Sequence, residues 1–406
     1  MEKTENKAKK GKKNHFDTVF HQVEKYLNDF YELRYNLIKC EIESSPKGKN
    51  EYSQVNENSL YVELRKKGVR ISKDDLKSIL KSEFTPRYNP IQTYFNNLLP
   101  YNPDNEPDYI NKLGSYVKTD EHEDFISHYK KWLVRSVRCG LDDTYFNKQA
   151  FILVHNKQNS GKSTFCRFHC PEALQDYIAE EISTDKDGLI LLTKNFLINL
   201  DELSTLHKSE INSLKAFFTK LWVNVRLPYD SKNSNIARKA NFIGSTNKGQ
   251  FLQDETGSVR WLCFEIQSID WNYSKEIKID NVWRQALYLL RSETFKYDLT
   301  VGEIEDNETR NMKFQQLTNE MELVTKYFEK PKSKTDGDIE FMQANDVMVY
   351  LQQNSGIKVS REYVGRALLK YGFERVQKYN GKFQVWGYNV VKTNLLNFIN
   401  LSNILT

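Results

Sequence analysis

Only five of the 406 residues are cysteine (Cys40, Cys139, Cys166, Cys170 and Cys263). An odd number set mostly in apolar surroundings argues against a disulfide framework and for reduced thiols. No apolar run approaches the roughly 20 residues of a membrane-spanning helix, and MEKTENKAKKGKKNH lacks the apolar centre of a signal peptide, so a cytoplasmic protein with no membrane partner is expected. Internal repeats and long low-complexity tracts are absent as well. Charge of one sign is also scarce: 59 Lys+Arg face 54 Asp+Glu, and the net +5 does not by itself mark a nucleic-acid binder. What remains is ordinary globular composition, 39% hydrophobic and 28% charged, at a length that holds two or three domains.

The charge is unevenly spread. Six lysines fall within the first 13 residues, so residues 1–15 read as a disordered basic arm able to touch phosphates or simply to stay solvated. Residues 16–147 read as a helical N-terminal domain, with three- and four-residue apolar spacing in VEKYLNDFYELRYNLI and in SKDDLKSILKSEF, where Ser72 and Asp75 form a capping pair. Residues 148–328 alternate apolar strands with helices, the pattern of a parallel α/β sheet. Residues 329–338 form a charged linker, 339–392 a small compact domain, and 393–406 an apolar tail.

Within the α/β region, FILVHNKQNSGKSTF places an unbroken apolar run, Ala150–Val154, ahead of a loop ending Ser160-Gly161-Lys162-Ser163-Thr164 and a helix that Pro171 ends or interrupts. Strand, loop and helix in that order match a phosphate-binding loop, in which backbone N–H groups and the helix dipole face an anion. Gly161 permits close approach, Lys162 brings charge to the β/γ oxygens, and Ser163 offers a hydroxyl to Mg²⁺. Asn156 and Asn159 stand at turn positions, and Asn tolerates positive φ. The plain alternative is an ordinary turn between two elements. A second apolar strand, NFLINL, ends in Asp201-Glu202, and in a nucleotide hydrolase such a strand lies beside the loop strand, its first acid holding metal and its second polarising water. A third, ANFIGSTN, ends in Asn247, whose amide can orient the same water. Arg260, after the turn DETGSV, can reach a phosphate on a neighbouring subunit or form a surface ion pair.

The small C-terminal domain reads as helix then hairpin. VSREYVGRALLKYGF starts at a Ser360 cap, keeps Tyr363, Ala367, Leu368 and Tyr371 on one face, and projects Arg361, Arg366 and Lys370 elsewhere. ERVQKYNGKFQVWGY turns at Asn380-Gly381 as a two-residue hairpin, with Lys378 and Lys382 beside the turn. Helix and hairpin together are winged-helix-like, with those five basic residues as DNA contacts, or else a purely structural small domain. Cys166, His169 and Cys170 have metal-compatible spacing, but packing within the motif's own core is favoured.

Lys215 in SLKAFF, VRLPYD, Arg238, FIGSTNKGQFLQDETG and Arg260-Trp261, in this order and spacing, resemble the virulence-associated protein E family, which belongs with the superfamily 3, AAA+-type helicases of phages and mobile elements. RYNPIQTYFNNLLP and KKWLVRSVR resemble that family's approach to its ATPase core. The resemblance implies an AAA+-type P-loop core that takes ATP and Mg²⁺, with Asn156 and Asn159 to Thr164 at the nucleotide, Ser163 and Asp201 at the metal, Glu202, Asn247 and Arg260 as catalytic groups, and assembly as a hexameric ring. It also implies a hairpin in VRLPYDSKNSNIARKA that grips DNA through Lys232, where the bland reading is a solvated turn. The family's usual glycines at 156 and 159 are Asn here, and its usual Arg-Arg pair is Val259-Arg260. No zinc-binding primase module is visible, so a separate primase or initiator is expected. The function so implied is ATP-dependent DNA unwinding or translocation; a DNA-binding ATPase switch and a small-molecule kinase are the alternatives.

Overall fold

The computed structural model describes residues 18–201, 203, 208–226, 232–252, 259–316, 318–331, 338–379 and 381–393. The basic arm, the tail beyond 393, Glu202 and residues 332–337 of the expected linker lie outside them. Two compact units are present, one within Met1–Gly249 and Asp254–Lys313, the other within Gln250–Gln253 and Phe314–Thr406.

The first unit begins with a helix, Val19–Phe30, capped by the Thr18 hydroxyl. The sequence pattern extends this helix to Ile38, but the chain turns at Phe30 into strand β1 (Tyr31–Asn36). From Tyr31 onward large residues (Tyr31, Leu33, Tyr35) alternate with polar ones, a two-residue period that suits the antiparallel ladder with β2 (Glu41–Pro46). With β3 (Ser53–Gln54) and β4 (Arg87–Tyr88) they form a sheet ordered β3-β2-β1-β4, covered by helices Glu57–Lys66 and Lys73–Lys81 around Val23, Leu27, Leu64, Leu76 and Leu80. The N-terminal domain expected to be helical is therefore mixed, although the Ser72 cap forms as read, its hydroxyl 3.0 Å from the Asp75 amide. Nor does it end as a separate body at 147. The helices Pro90–Asn97, Tyr109–Ser115 and His122–Leu141 place Phe95, Leu113, Phe125, Tyr129 and Trp132 in one core with Phe151, Leu153 and Phe264.

That core covers a five-stranded parallel sheet. Its strands are β6 (Ala150–Val154), β7 (Ile178–Glu180), β8 (Leu197–Leu200), β11 (Asn241–Thr246) and β12 (Trp261–Glu265), ordered β12-β6-β11-β8-β7. The acid-bearing strand β8 does not lie beside the loop strand β6, as its sequence reading had it; β11 runs between them. Gly244 makes that insertion possible, because a β-carbon there would collide with Leu200 on β8. Two short antiparallel pairs complete the unit: β9 (Trp222–Val225) with β10 (Ser234–Ala237), and β5 (Val117–Lys118) with β13 (Ser268–Ile269).

The second unit packs helices Asn319–Tyr327, Ala344–Ser355 and Arg361–Lys370 against β14 (Phe328–Glu329), β15 (Ile339–Met342), β16 (Arg375–Tyr379) and β17 (Gln384–Lys392). Helix Asn319–Tyr327, which the sequence places in the α/β domain ending at 328, contributes Met321, Leu323, Val324 and Tyr327 to this second core. In helix Arg361–Lys370 the buried face is Val364, Ala367 and Leu368, whereas Tyr363 is exposed: the three- and four-residue steps to Ala367 and Leu368 start at Val364. Ser360 occupies the N-cap position but makes no side-chain cap bond. The hairpin pairs Tyr379 with Gln384, so four positions rather than two separate the strand ends, and Gly381 takes the positive φ of 93°.

Candidate nucleotide site

A parallel sheet collects its strand-to-helix loops at one edge. Strand β6 is buried along its whole length, and it leads through residues 155–161 into helix Lys162–Phe168. Gly161 takes φ 85° and Asn159 φ 54°, so one of the two asparagines fills the left-handed turn role read from sequence, while Asn156 does not. Because all five strands run the same way, the ends of β8 and β11 arrive beside this loop. Ser163 Oγ donates to Asp201 Oδ1 at 2.7 Å, Ser245 Oγ donates to the same oxygen at 2.8 Å, and the two hydroxyls are 3.3 Å apart. Lys162 is nearly buried, with Nζ donating to His155 O (3.2 Å), Lys157 O (3.1 Å), Ser160 Oγ (2.9 Å) and Asn247 Oδ1 (2.8 Å). Burial lowers its pKa, and the Asp201 charge opposes that shift. Lys162, Ser163, Asp201 and Asn247, four residues singled out from sequence, thus meet at one point across three strands.

Three neighbours went unread in the sequence. Ser245 shares a strand face with Asn247 by the two-residue period, a signal that was available. Arg167, one helical turn past Ser163, pairs with Glu180 at 2.7 Å and lies 3.6 Å from Asp201 Oδ2. Trp271 is the third: a β-carbon at Gly161 would sit 2.8 Å from its Cζ2.

Arg260 is not among them. It immediately precedes β12, whose first pair is Trp261 with Ala150, so it stands at the opposite edge of the sheet, roughly 13 Å of strand away from the loop. It is half-buried, and its Nε has no hydrogen-bond partner among the described residues. Arg238 is instead fully buried, donating to the carbonyls of Ala240 (2.9 Å), Phe217 (2.9 Å), Phe218 (2.7 Å) and Asn147.

His169 is committed to packing. Its ring meets the Tyr129 hydroxyl at 2.6 Å and the Phe165 carbonyl at 2.8 Å, and burial pushes its pKa down to about 4. Both ring nitrogens are engaged, which leaves no ligand for a metal at Cys166 and Cys170. Lys232 is exposed near the start of β10. Arg361, Arg366, Lys378 and Lys382 are exposed on the second unit, Arg366 bonded to Glu362 at 2.5 Å, whereas Lys370 turns onto Gln315 of its own unit.

A family model for the virulence-associated protein E-like domain matches residues 99–317, more than half of the chain. The chain belongs to this family. No curated protein matches it. Among solved structures, the apo NrS-1 C-terminal region (305-718) is similar, with a TM-score of 0.52 and 14% identity over 93% of this chain and all of that one. A structure titled SCCmec type IV Cch, active helicase, matches 88% of this chain and 90% of that one at 13% identity, with a TM-score of 0.36. The family match spans the loop, Asp201, Asn247 and Arg260. Among the described residues no helix is long and apolar enough to cross a membrane.

Proposed function

We propose that this member of the virulence-associated protein E-like family is an ATP-dependent DNA helicase or translocase serving replication of a phage or mobile element. It is built on an AAA+-type P-loop core, carries a winged-helix-like C-terminal domain, works in the cytoplasm as a ring homo-oligomer, a hexamer, and relies on a separate primase or initiator. The observation that carries this reading is the convergence of Lys162, Ser163, Asp201 and Asn247 at the C-terminal edge of the parallel sheet.

The donor set fits its ligands. Ser163, Asp201 and Ser245 present hydroxyl and carboxylate oxygens within 2.7–3.3 Å of one another, the hard donors Mg²⁺ prefers. Held by Ser163 and Asp201, Mg²⁺ would supply neutralisation of charge developing on the terminal phosphates. Backbone amides of residues 160–164 face the phosphates, Lys162 leaves its own loop carbonyls for them, and Asn247, then released, orients the attacking water. Glu202 follows Asp201 directly and takes the proton of that water. Arg260, too far from its own loop, serves the loop of the next subunit. Lys232 and the exposed Arg361, Arg366, Lys378 and Lys382 meet DNA phosphates, to which Lys370 contributes least because Gln315 already holds it.

The test is a paired assay. DNA-stimulated ATP hydrolysis and ATP-dependent strand displacement are expected for the wild type, both abolished in Lys162→Ala. Hydrolysis without displacement would leave an ATPase switch, and no hydrolysis at all would overturn the nucleotide reading.

A further inference from the structure

Trp271 is a large apolar side chain left 51% exposed, on a backbone segment that is anchored at both ends. Its backbone carbonyl accepts from Ser274 Oγ at 3.0 Å, and the preceding Asp270 amide donates to Tyr116 O at 2.8 Å, continuing the β5–β13 pairing. Two residues on, buried Tyr273 wedges edge-on against Phe165 and Phe168 of the phosphate-loop helix, at 5.1 and 4.9 Å between ring centroids. This segment is therefore anchored to the same helix that begins at Lys162. The indole's six-membered edge lies over Gly161, where Cζ2 and Cη2 would be 2.8 and 3.0 Å from any β-carbon. Glycine at 161 thus serves two constraints, a φ of 85° and room for this ring.

We propose that Trp271 is the base platform of the site: the nucleobase of a triphosphate held by the loop stacks on the exposed indole face. This rests on reading the loop as a nucleotide site. An exposed aromatic fixed against a phosphate loop supplies what the loop itself lacks, an apolar surface for the far end of the ligand. Stacking on a π-face tolerates any base and favours the larger purines, so the ligand class is a purine nucleoside triphosphate with little discrimination between adenine and guanine.

The test compares ATP with inorganic tripolyphosphate, which offers the phosphates without a base, by calorimetry on the full chain. Trp271→Ala should weaken ATP binding about tenfold and leave tripolyphosphate binding unchanged, with Trp271→Phe restoring most of the loss. Equal weakening for both ligands would make Trp271 a mere support of the loop and overturn the proposal, as would unchanged ATP binding. A wild type that binds tripolyphosphate but prefers ATP no better would also overturn it while leaving the phosphate site intact. A wild type that binds neither ligand would bring down the nucleotide reading itself, and the platform with it.

Discussion

The two edges of the central sheet are chemically opposite. At the C-terminal edge Lys162 is bonded to Asn247, and Ser163 and Ser245 to Asp201, so cation, carboxylate and hydroxyls find partners within the chain. At the N-terminal edge stand two arginines, and they differ from each other as much as the edges do. Arg238 saturates its guanidinium on four carbonyls at the starts of β6 and β11 and the end of the helix Lys208–Phe218, whereas Arg260 keeps a buried Nε without a partner among the described residues. A fully satisfied buried cation is a structural part. A half-buried one whose Nε has no partner among the described residues is the one the proposed mechanism assigns to the next subunit.

The largest effect sharpening this contrast is catalytic. Arg260→Ala and Lys162→Ala should each lower ATP turnover by about 10³-fold or more, and mixing the two inactive chains should restore part of it, because some interfaces then join an intact loop to an intact arginine. Steady-state hydrolysis across a mixing series reads this; no recovery in confirmed mixed oligomers would place Arg260 outside the reaction. Next comes stability. Arg238→Ala orphans buried carbonyls and should cost about 3 kcal/mol or more, while Arg260→Ala, whose Nε has no partner among the described residues, should stay within about 0.5 kcal/mol, both measured by urea unfolding. Equal costs would erase the distinction between the two arginines.

The smallest effect concerns the packing behind the loop. His169, held neutral by burial, has a folded pKa near 4 against an unfolded value of about 6.5, so the unfolded chain binds the proton first as pH falls. Stability should therefore be complete above about pH 6.5 and decline below it by up to about 1.4 kcal/mol per pH unit until about pH 4. Unfolding titrations of wild type and His169→Gln check this, and a slope unchanged by the substitution would assign the acid sensitivity elsewhere.

These contrasts divide into what one dimension records and what it does not. The apolar run Ala150–Val154 followed by Gly161-Lys162-Ser163 is a local signal, set by burial on both faces of a strand and by loop chemistry, and the structure presents both as the sequence does. Strand order is not local. Connection lengths say nothing about β11 sliding between β6 and β8, so the contact of Lys162 with Asn247 could be named as a role but not as a distance. The break at Phe30 was masked because Leu27, Tyr31 and Tyr35 also fit four-residue spacing; only pairing with β2 decides between the two periods. Trp271 sits in an unremarkable loop sequence, and its meaning comes from Gly161, a residue remote in the chain.

How the site fills depends on the four acceptors that share the three N–H groups of Lys162. Its ammonium is already satisfied by two carbonyls, a hydroxyl and an amide oxygen, so an arriving anion meets a closed latch and not a bare charge. On the proposed reading, occupancy would be an exchange of partners, and the oxygen it frees, that of Asn247, directly follows β11, the strand that the chain enters from the β9–β10 pair near Lys232.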